Sequence, residues 1–153
     1  MRIRLSVVAL LLGFLLLGSC ATAPVAQRES RIMSLVDRIN GDSLVRVVEV
    51  TAVPFVLDGE IIELPADIET MWSNLQEAGF SLPDARIEEI TPVRGDSHRR
   101  FADTMDLRVF FEKYIPEDAT FVRIESENGA FLFVLGDRFW GVPRMYAMKG
   151  PLR

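Results

Sequence analysis

Residues 120–135 read TFVRIESENGAFLFVL, two apolar-rich runs on either side of the dipeptide Asn128-Gly129. Asn-Gly is a strong signal for a tight hairpin turn, because both residues tolerate the positive φ angles that a two-residue turn requires. Aromatic and β-branched residues are frequent in both runs, as is typical of strands. The stretch therefore predicts two antiparallel strands, Thr120–Glu127 and Ala130–Leu135, and assigns the C-terminal half of the chain to β structure.

Further strands are predicted on both sides of this hairpin. Gly136-Asp137 marks the next turn, and the segment beyond it predicts a strand over Val142–Met148. Upstream, the same residue types predict strands over Ala85–Val93 and Met105–Ile115. Both faces of the strand predicted over Met105–Ile115 are partly apolar, which favours a strand that is covered on both sides.

The N-terminal part of the domain is predicted to be mainly helical. Apolar residues at helical spacing predict a helix over residues 30–40 that ends at Gly41. Asp42 or Ser43 can then cap a second, short helix through Leu44 and Val48, although the valines there also allow a strand.

A hairpin and a third helix follow. Asp58-Gly59 is another tight-turn signal, and it joins the predicted strands 54–57 and 60–63. The clearest helix spans Asp67 to Ala78 and is ended by Gly79. The order of elements predicts an α+β domain over residues 30–153, with N-terminal helices packed on one face of a curved, cone-like antiparallel sheet.

The first 19 residues have the pattern of a cleaved signal peptide. A short basic start with Arg2 and Arg4 precedes thirteen residues from Leu5 to Leu17 that only Ser6 and Gly13 interrupt. This apolar run is shorter than the roughly 20 residues that cross a bilayer. Small residues and Cys20 come next, and residues 20–29 contain Pro24 and no periodicity, which predicts a short tether.

Leu17-Gly18-Ser19-Cys20 resembles the lipobox of bacterial lipoproteins. The resemblance implies that the Cys20 thiol receives a diacylglyceryl group and that the chain is cut before this residue. Anchoring by two or more acyl chains is stable where one chain is not. The resemblance thus implies a lipid-anchored protein whose domain faces the periplasm or the exterior, and Ala21 in place of an aspartate favours the outer membrane.

Charge excludes one class of partner. The whole chain has a formal charge of −5, and removal of residues 1–19 leaves 15 basic and 22 acidic residues, a net charge of −7. An acidic domain repels phosphate backbones, so nucleic acid is not an expected partner. The partners that remain are the membrane, through the lipid anchor, and a small apolar ligand, a second copy of the chain or another envelope protein.

Few residues are candidates for chemistry. Cys20 is the only cysteine and His98 the only histidine, so no disulfide within the chain and no metal site are predicted. His98 stands among charged residues and is predicted to be a solvated loop residue. Arg94-Gly95-Asp96 spells an adhesion tripeptide, which we interpret as an Arg–Asp turn. No catalytic residue and no cofactor are predicted.

Aromatic residues form the remaining candidate site. Core packing is the interpretation that we favour for them. The alternative is an apolar pocket inside the cone with a tyrosine hydroxyl near its mouth. The residues predicted to line this pocket are Trp72, Phe110, Tyr114, Phe133 and Tyr146.

The order of elements over residues 30–150 resembles the nuclear transport factor 2-like fold, a cone of bent sheet around three helices. The residues that carry the resemblance are Gly41-Asp42 between the first helices, Asp58-Gly59, Trp72 and Gly79-Phe80. It implies either a non-catalytic binding or envelope-associated structural module or, as the alternative, an isomerase, dehydratase or hydrolase that uses an acid–base carboxylate in an apolar pocket. Val53 stands where the isomerases of this fold carry an aspartate, which favours the non-catalytic module.

Overall fold

The structure is a computed structural model and describes residues 23–41, 43–136 and 141–152. The chain divides into two units, residues 1–30 and residues 31–153. In the first unit the described residues, 23–30, form the beginning of a helix. The predicted signal peptide, Cys20 and the predicted cap Asp42 lie outside the described residues.

Four α-helices and a short 3-10 helix are present in the described part of the chain. The second segment, for which the sequence allowed a strand, is a helix. The helices are α1 (Ala23–Ile39), α2 (Leu44–Val48), α3 (Pro65–Glu77) and α4 (Met105–Tyr114), and the 3-10 helix is Ser97–Arg100.

Six strands form one sheet in the order β2-β1-β6-β5-β4-β3. The protein is therefore α+β, as predicted, although the sheet is mixed and not purely antiparallel. The strands are β1 (Thr51–Leu57), β2 (Glu60–Ile62), β3 (Arg86–Pro92), β4 (Thr120–Ser126), β5 (Gly129–Gly136) and β6 (Arg144–Leu152).

Both predicted hairpins are confirmed. Asp58 and Gly59 have φ angles of 50° and 98°, and Leu57 pairs with Glu60 across this two-residue turn. At the second hairpin Ser126 pairs with Gly129, so the turn lies one residue earlier than predicted, and Gly129 has a φ of 111°. In both cases a residue type that tolerates positive φ fixes the register of two neighbouring strands.

Helix α3 begins and ends at residues that the sequence marks. Pro65 stands in its first turn, where no backbone hydrogen is needed for the helical pattern. At the other end Gly79 has a φ of 76°, and the backbone N–H groups of Gly79 and Phe80 donate to Gln76 at 2.9 Å and Leu75 at 2.8 Å. These two bonds close the helix in a Schellman motif, which confirms the predicted stop.

Helix α4 replaces the strand that was predicted over Met105–Ile115, and that prediction is wrong. Leu107, Phe110 and Phe111 are the buried residues of this helix, and their spacing is that of one helix face. The Thr104 hydroxyl accepts a hydrogen bond from the backbone N–H of Leu107 at 3.3 Å and caps the first turn. The alternation that suggested a strand is a by-product of this helical pattern.

Strands β1 and β6, which stand at the two ends of the strand order along the chain, are parallel neighbours in the sheet, with Val56 opposite Ala147. All other neighbours in the sheet are antiparallel. The prediction of an antiparallel sheet is thus wrong at one pair. These two strands are separated by most of the domain sequence, so no hairpin sets their direction.

Helices cover both faces of the sheet, and not one face as predicted. Successive residues of β5 point to opposite faces, and this strand is buried along almost its whole length. Phe131, Phe133 and Leu135 pack with helices α1, α2 and α3, in a cluster that we call the α1–α3 core. Leu132 and Val134 pack with α4, in a cluster that we call the α4 core.

The two edges of the sheet are short or irregular. Strand β2 has three residues. At the other edge β3 carries a bulge between Ile87 and Glu89 and ends at Pro92. A proline and a bulge both interrupt the row of backbone groups that an edge strand presents to other strands.

Candidate functional site

The predicted lipid attachment residue, Cys20, lies outside the described residues, and so does the whole predicted signal peptide. Helix α1 begins at Ala23, so most of the segment predicted as a tether, residues 20–29, is helical. Within the described ranges no helix combines the length and the hydropathy that crossing a membrane requires.

The five aromatic residues predicted to line one pocket are divided between the two cores. Trp72 and Phe133 are fully buried in the α1–α3 core. Phe110 is buried in the α4 core, and Tyr146 packs against that core. Tyr114 is 38% exposed, and its ring centroid lies 5.4 Å from that of Phe110. The structure thus places these side chains on two faces of the sheet.

Trp72 has a structural partner inside its core. The indole N–H donates to the Thr51 hydroxyl at 3.0 Å, and that hydroxyl donates to the Val47 carbonyl at 2.8 Å. Thr51 is 3% exposed, so the whole chain of bonds is buried. A buried polar network with every member satisfied fixes the packing of α2, α3 and β1.

Tyr114 lies at the surface beside Lys113. The ammonium of Lys113 is 4.8 Å from the centroid of the Tyr114 ring, a cation–π distance. The side-chain hydrogen bond with Tyr114 and the electrostatic interaction with the same side chain both raise the pKa of Lys113 above its ordinary value. Tyr114 therefore interacts with solvent and with a charged neighbour.

A groove of about 470 Å³ runs along α4, from Thr104 before its first turn to Glu112, beside the α4 core. The turn that precedes the 3-10 helix forms one wall, and α4 forms the other. Most lining side chains are polar or charged. They are Gly95, Asp96, His98, Arg99, Asp103, Thr104, Met105, Arg108 and Glu112.

The wall that contains Asp96 is a tight turn. The backbone N–H of Ser97 donates to the Arg94 carbonyl at 2.9 Å, and the backbone N–H of Arg94 donates to the Ser97 hydroxyl at 2.7 Å. Arg94, Gly95 and Asp96 are all exposed. The interpretation of this tripeptide as an Arg–Asp turn is confirmed, and the turn holds the Asp96 carboxylate at the edge of the groove.

His98 lies at the inner side of this groove and is 6% exposed, so the prediction of a solvated histidine is wrong. Its ring packs against Phe111, with the two centroids 6.4 Å apart and the planes at 63°. The 3-10 helix turns the side chain inward, where Phe111 covers it. Within the described residues its Nδ1 has no hydrogen-bond partner, and its Nε2 lies 3.8 Å from Asp103 Oδ1, beyond hydrogen-bond distance.

Two exposed ion pairs line the groove. Arg108 Nε donates to Glu112 Oε1 at 2.9 Å, and Arg99 Nε lies 3.4 Å from Asp103 Oδ1. All four side chains are more than half exposed, between 57% and 73%. Exposed pairs of this kind contribute about 0–1 kcal/mol to the free energy of unfolding, because water and salt screen them. The charged groups of the groove are therefore free to exchange partners.

The polar groups of the groove are mostly exposed, and one of them is nearly buried. Among the described residues, the buried polar or charged side chains are Thr51, His98 and Ser126, none of which is a carboxylate. No group of three His, Cys, Asp or Glu side chains in that part of the chain is arranged to hold a metal ion. What the groove offers is a set of charged, hydrogen-bonding groups around a nearly buried imidazole.

Sequence reasoning did not identify the groove. The signal that could have indicated it is the helical spacing of Thr104, Arg108 and Glu112, which places these residues on one face of a helix. A comparison of the chain with models of known protein families and with curated proteins finds no match.

Proposed function

We propose that this chain is a lipid-anchored protein of the bacterial cell envelope, held by Cys20, whose α+β domain is a non-catalytic binding module. The observation that carries the anchor is Leu17-Gly18-Ser19-Cys20 directly after a short apolar run with a basic start. Ala21 after the cysteine favours the outer membrane. The module faces the periplasm or the exterior.

The length of chain behind the cysteine limits where the module works. Among the described residues Ile32 is the first with a buried side chain, and it stands twelve positions after Cys20. Even a fully extended chain covers at most about 40 Å over twelve residues, and a helical one much less. The anchor thus keeps the module close to the membrane surface, within reach of envelope components.

We also infer that residues 31–152 have the nuclear transport factor 2-like fold. Two observations support the inference. The elements α1, α2, the β1–β2 hairpin and α3 occur in the order that the resemblance implies. These three helices share one core on one face of the sheet. Helix α4, on the other face, is then an addition to that arrangement, and it is this addition that forms the groove.

The groove along α4 supports a binding role more than a catalytic one. The alternative enzyme would use an acid–base carboxylate in an apolar pocket, where burial perturbs its pKa. In the described residues the carboxylates of the groove are exposed, at 73% for Asp103 and 58% for Glu112. Exposed, ion-paired carboxylates are suited to recognition of charged groups.

The anchor is tested by mass spectrometry of the full chain, expressed in a bacterium and extracted from its membranes. We expect a mature protein that begins at Cys20 and carries acyl chains on this residue. Cys20→Ser should abolish the lipid mass and leave the precursor uncut. Ser19→Ala is the matched control, because it keeps a small residue at the cleavage point and should be processed normally.

One result would overturn the anchor. Recovery of the native protein with Met1 in place and the Cys20 thiol unmodified excludes a lipoprotein. The same result in the Ser19→Ala variant alone would show only that Ser19 is required for cleavage, so both samples are analysed together.

A further inference from the structure

The groove along α4 carries both signs of charge within one small volume. Asp96, Asp103 and Glu112 contribute carboxylates, and Arg99 and Arg108 contribute guanidinium groups. The Asp96 carboxylate forms no ion pair or hydrogen bond with the other described residues, whereas the remaining four groups pair with one another. A ligand that enters the groove can therefore contact both carboxylates and guanidinium groups.

The existing pairs decide which ligands bind well. A ligand with a single charge either contacts the Asp96 carboxylate alone or takes one member of a pair and leaves the other member without a partner, which offsets the gain. A ligand with a positive and a negative group replaces both partners at once, so that every charge keeps a partner. Because the pairs are exposed and weak, this exchange costs little.

His98 indicates that the groove is built to hold a polar molecule. The imidazole is nine-tenths buried and lines the groove; its Nδ1 has no hydrogen-bond partner in the described part of the chain, and its Nε2 lies 3.8 Å from Asp103 Oδ1. Buried polar side chains normally have such partners. The side of the ring that faces Asp103 can supply a hydrogen bond to a ligand between the two walls.

We propose that the groove binds a zwitterionic ligand, in which an ammonium and an anionic oxygen group are separated by a few bonds. The ammonium lies against Asp96 and Asp103, and the anionic group lies against Arg108 and Arg99. The imidazole of His98 donates to the ligand or accepts from it. The inference rests on the proposed function, in which the α4 groove is the binding surface.

Two envelope sources supply this chemistry. An α-amino acid, free or at the end of a peptide, combines an ammonium with a carboxylate. The headgroup of a phosphatidylethanolamine-type lipid combines an ammonium with a phosphate. The volume of about 470 Å³ accommodates either. The arms of the experiment separate them by using glycine for the first and O-phosphoethanolamine for the second.

His98 is the only histidine of the chain, so its ring protons give a single, assigned reporter inside the groove. The full chain, purified without a histidine tag in detergent micelles, is titrated at constant pH and ionic strength while the ring signals are followed by NMR. We expect a saturable shift with glycine or with O-phosphoethanolamine. Acetate and ethylammonium, which carry one charge each, should require at least tenfold higher concentrations.

Three variants make the result specific to the groove. Arg108→Gln and Asp96→Asn each remove one of the two complementary charges and should raise the apparent Kd at least tenfold. Arg46→Gln is the matched control, since Arg46 is exposed on α2 and does not line the groove. It should leave the titration unchanged. The unaltered thermal transition of each variant checks that the groove is folded.

The outcomes separate this inference from the proposed function. If acetate or ethylammonium binds as tightly as the zwitterions, the zwitterion proposal is overturned while the groove remains a binding surface. If no probe shifts the His98 signals, or if Arg108→Gln and Asp96→Asn titrate like the parent chain, the site itself is overturned. Mass spectrometry of the same samples shows whether Cys20 carries lipid, and this result does not depend on either outcome at the groove.

Discussion

The two cores on either side of the sheet differ in their side chains and in whether their buried polar groups have hydrogen-bond partners. In the α1–α3 core the buried hydroxyl of Thr51 is bonded to both Trp72 and Val47. The α4 core is a cluster of phenylalanine rings, with centroids 5.9 to 6.4 Å apart, and it covers a histidine whose Nδ1 has no partner in the described residues.

This difference separates a structural role from a binding role. A buried polar group with all its bonds made specifies one packing arrangement and leaves no capacity for a ligand. A buried polar group without partners retains that capacity, at a cost in stability. We therefore assign the fold's stability mainly to the α1–α3 core, whereas the recognition site that we propose lies at the rim of the α4 core.

The largest effect that this comparison predicts is at Trp72. Trp72→Ala removes a side chain that is 1% exposed, and it should lower the free energy of unfolding by about 3–5 kcal/mol, since the cavity only partly collapses. Chemical denaturation measures it. Val45→Ala, at a position 66% exposed, is the control and should stay within about 0.5 kcal/mol of the parent. A loss below about 1 kcal/mol for Trp72→Ala would contradict the assignment.

Thr51→Val tests the hydrogen bonds of the same core without a change in side-chain shape. The valine cannot accept from the Trp72 indole, so a buried N–H loses its partner, and we expect a loss of about 1–3 kcal/mol. Thr51→Ser keeps the hydroxyl and should recover most of the difference. Equal stability of the valine variant and the parent would show that the network contributes nothing.

Thr104→Ala tests the start of α4. It removes the side-chain oxygen that accepts from the Leu107 N–H, and the free energy of unfolding should fall by about 1 kcal/mol. Hydrogen exchange should show faster opening of α4 while the amides of α3 stay protected to the same degree. Thr104→Ser serves as the control. Faster exchange in both helices would mean that the two layers open together.

The smallest effect is predicted for Arg108→Gln. Its ion pair with Glu112 is exposed, so the free energy of unfolding should change by no more than about 0.5 kcal/mol, and added salt should reduce that change further. Thermal and chemical unfolding at low and high salt measure it. A loss above about 1 kcal/mol would assign the arginine a structural role and weaken the case for a recognition site.

Elements that depend on residues a few positions apart were predictable from the sequence. Asp58-Gly59, Gly129 and Gly79 each occupy a position with positive φ, and each marks a turn or a helix end that the structure contains. The conformational tolerance of these residue types is a local property. It therefore predicted both hairpins and the end of α3.

Residues 105–115 were mispredicted because two periods coexist in them. Leu107, Val109 and Phe111 alternate, as in a strand, while Leu107, Phe110, Phe111 and Tyr114 have helical spacing. The residues at the two ends of this segment decide between a strand and a helix. Thr104 before the segment and Pro116 after it are start and stop signals of a helix.

The burial of His98 and the parallel strand pair depend on contacts between distant residues, and no local pattern encodes them. His98 stands among arginines, which indicates exposure, yet a ring thirteen positions away, that of Phe111, covers it. Likewise β1 and β6 are neighbours in the sheet although most of the domain sequence lies between them. Such features follow from the assembled tertiary structure.

The irregular edge strand β3 has a consequence for the membrane-anchored state that we propose. Lipid-anchored molecules diffuse in two dimensions, where neighbours collide often and with a restricted range of orientations. Strand-to-strand aggregation is favoured under these conditions if a flat edge is available. The bulge beside Ile87, the Glu88–Arg123 ion pair and Pro92 interrupt that edge, which would hinder sheet growth between neighbouring molecules in the anchored state that we propose.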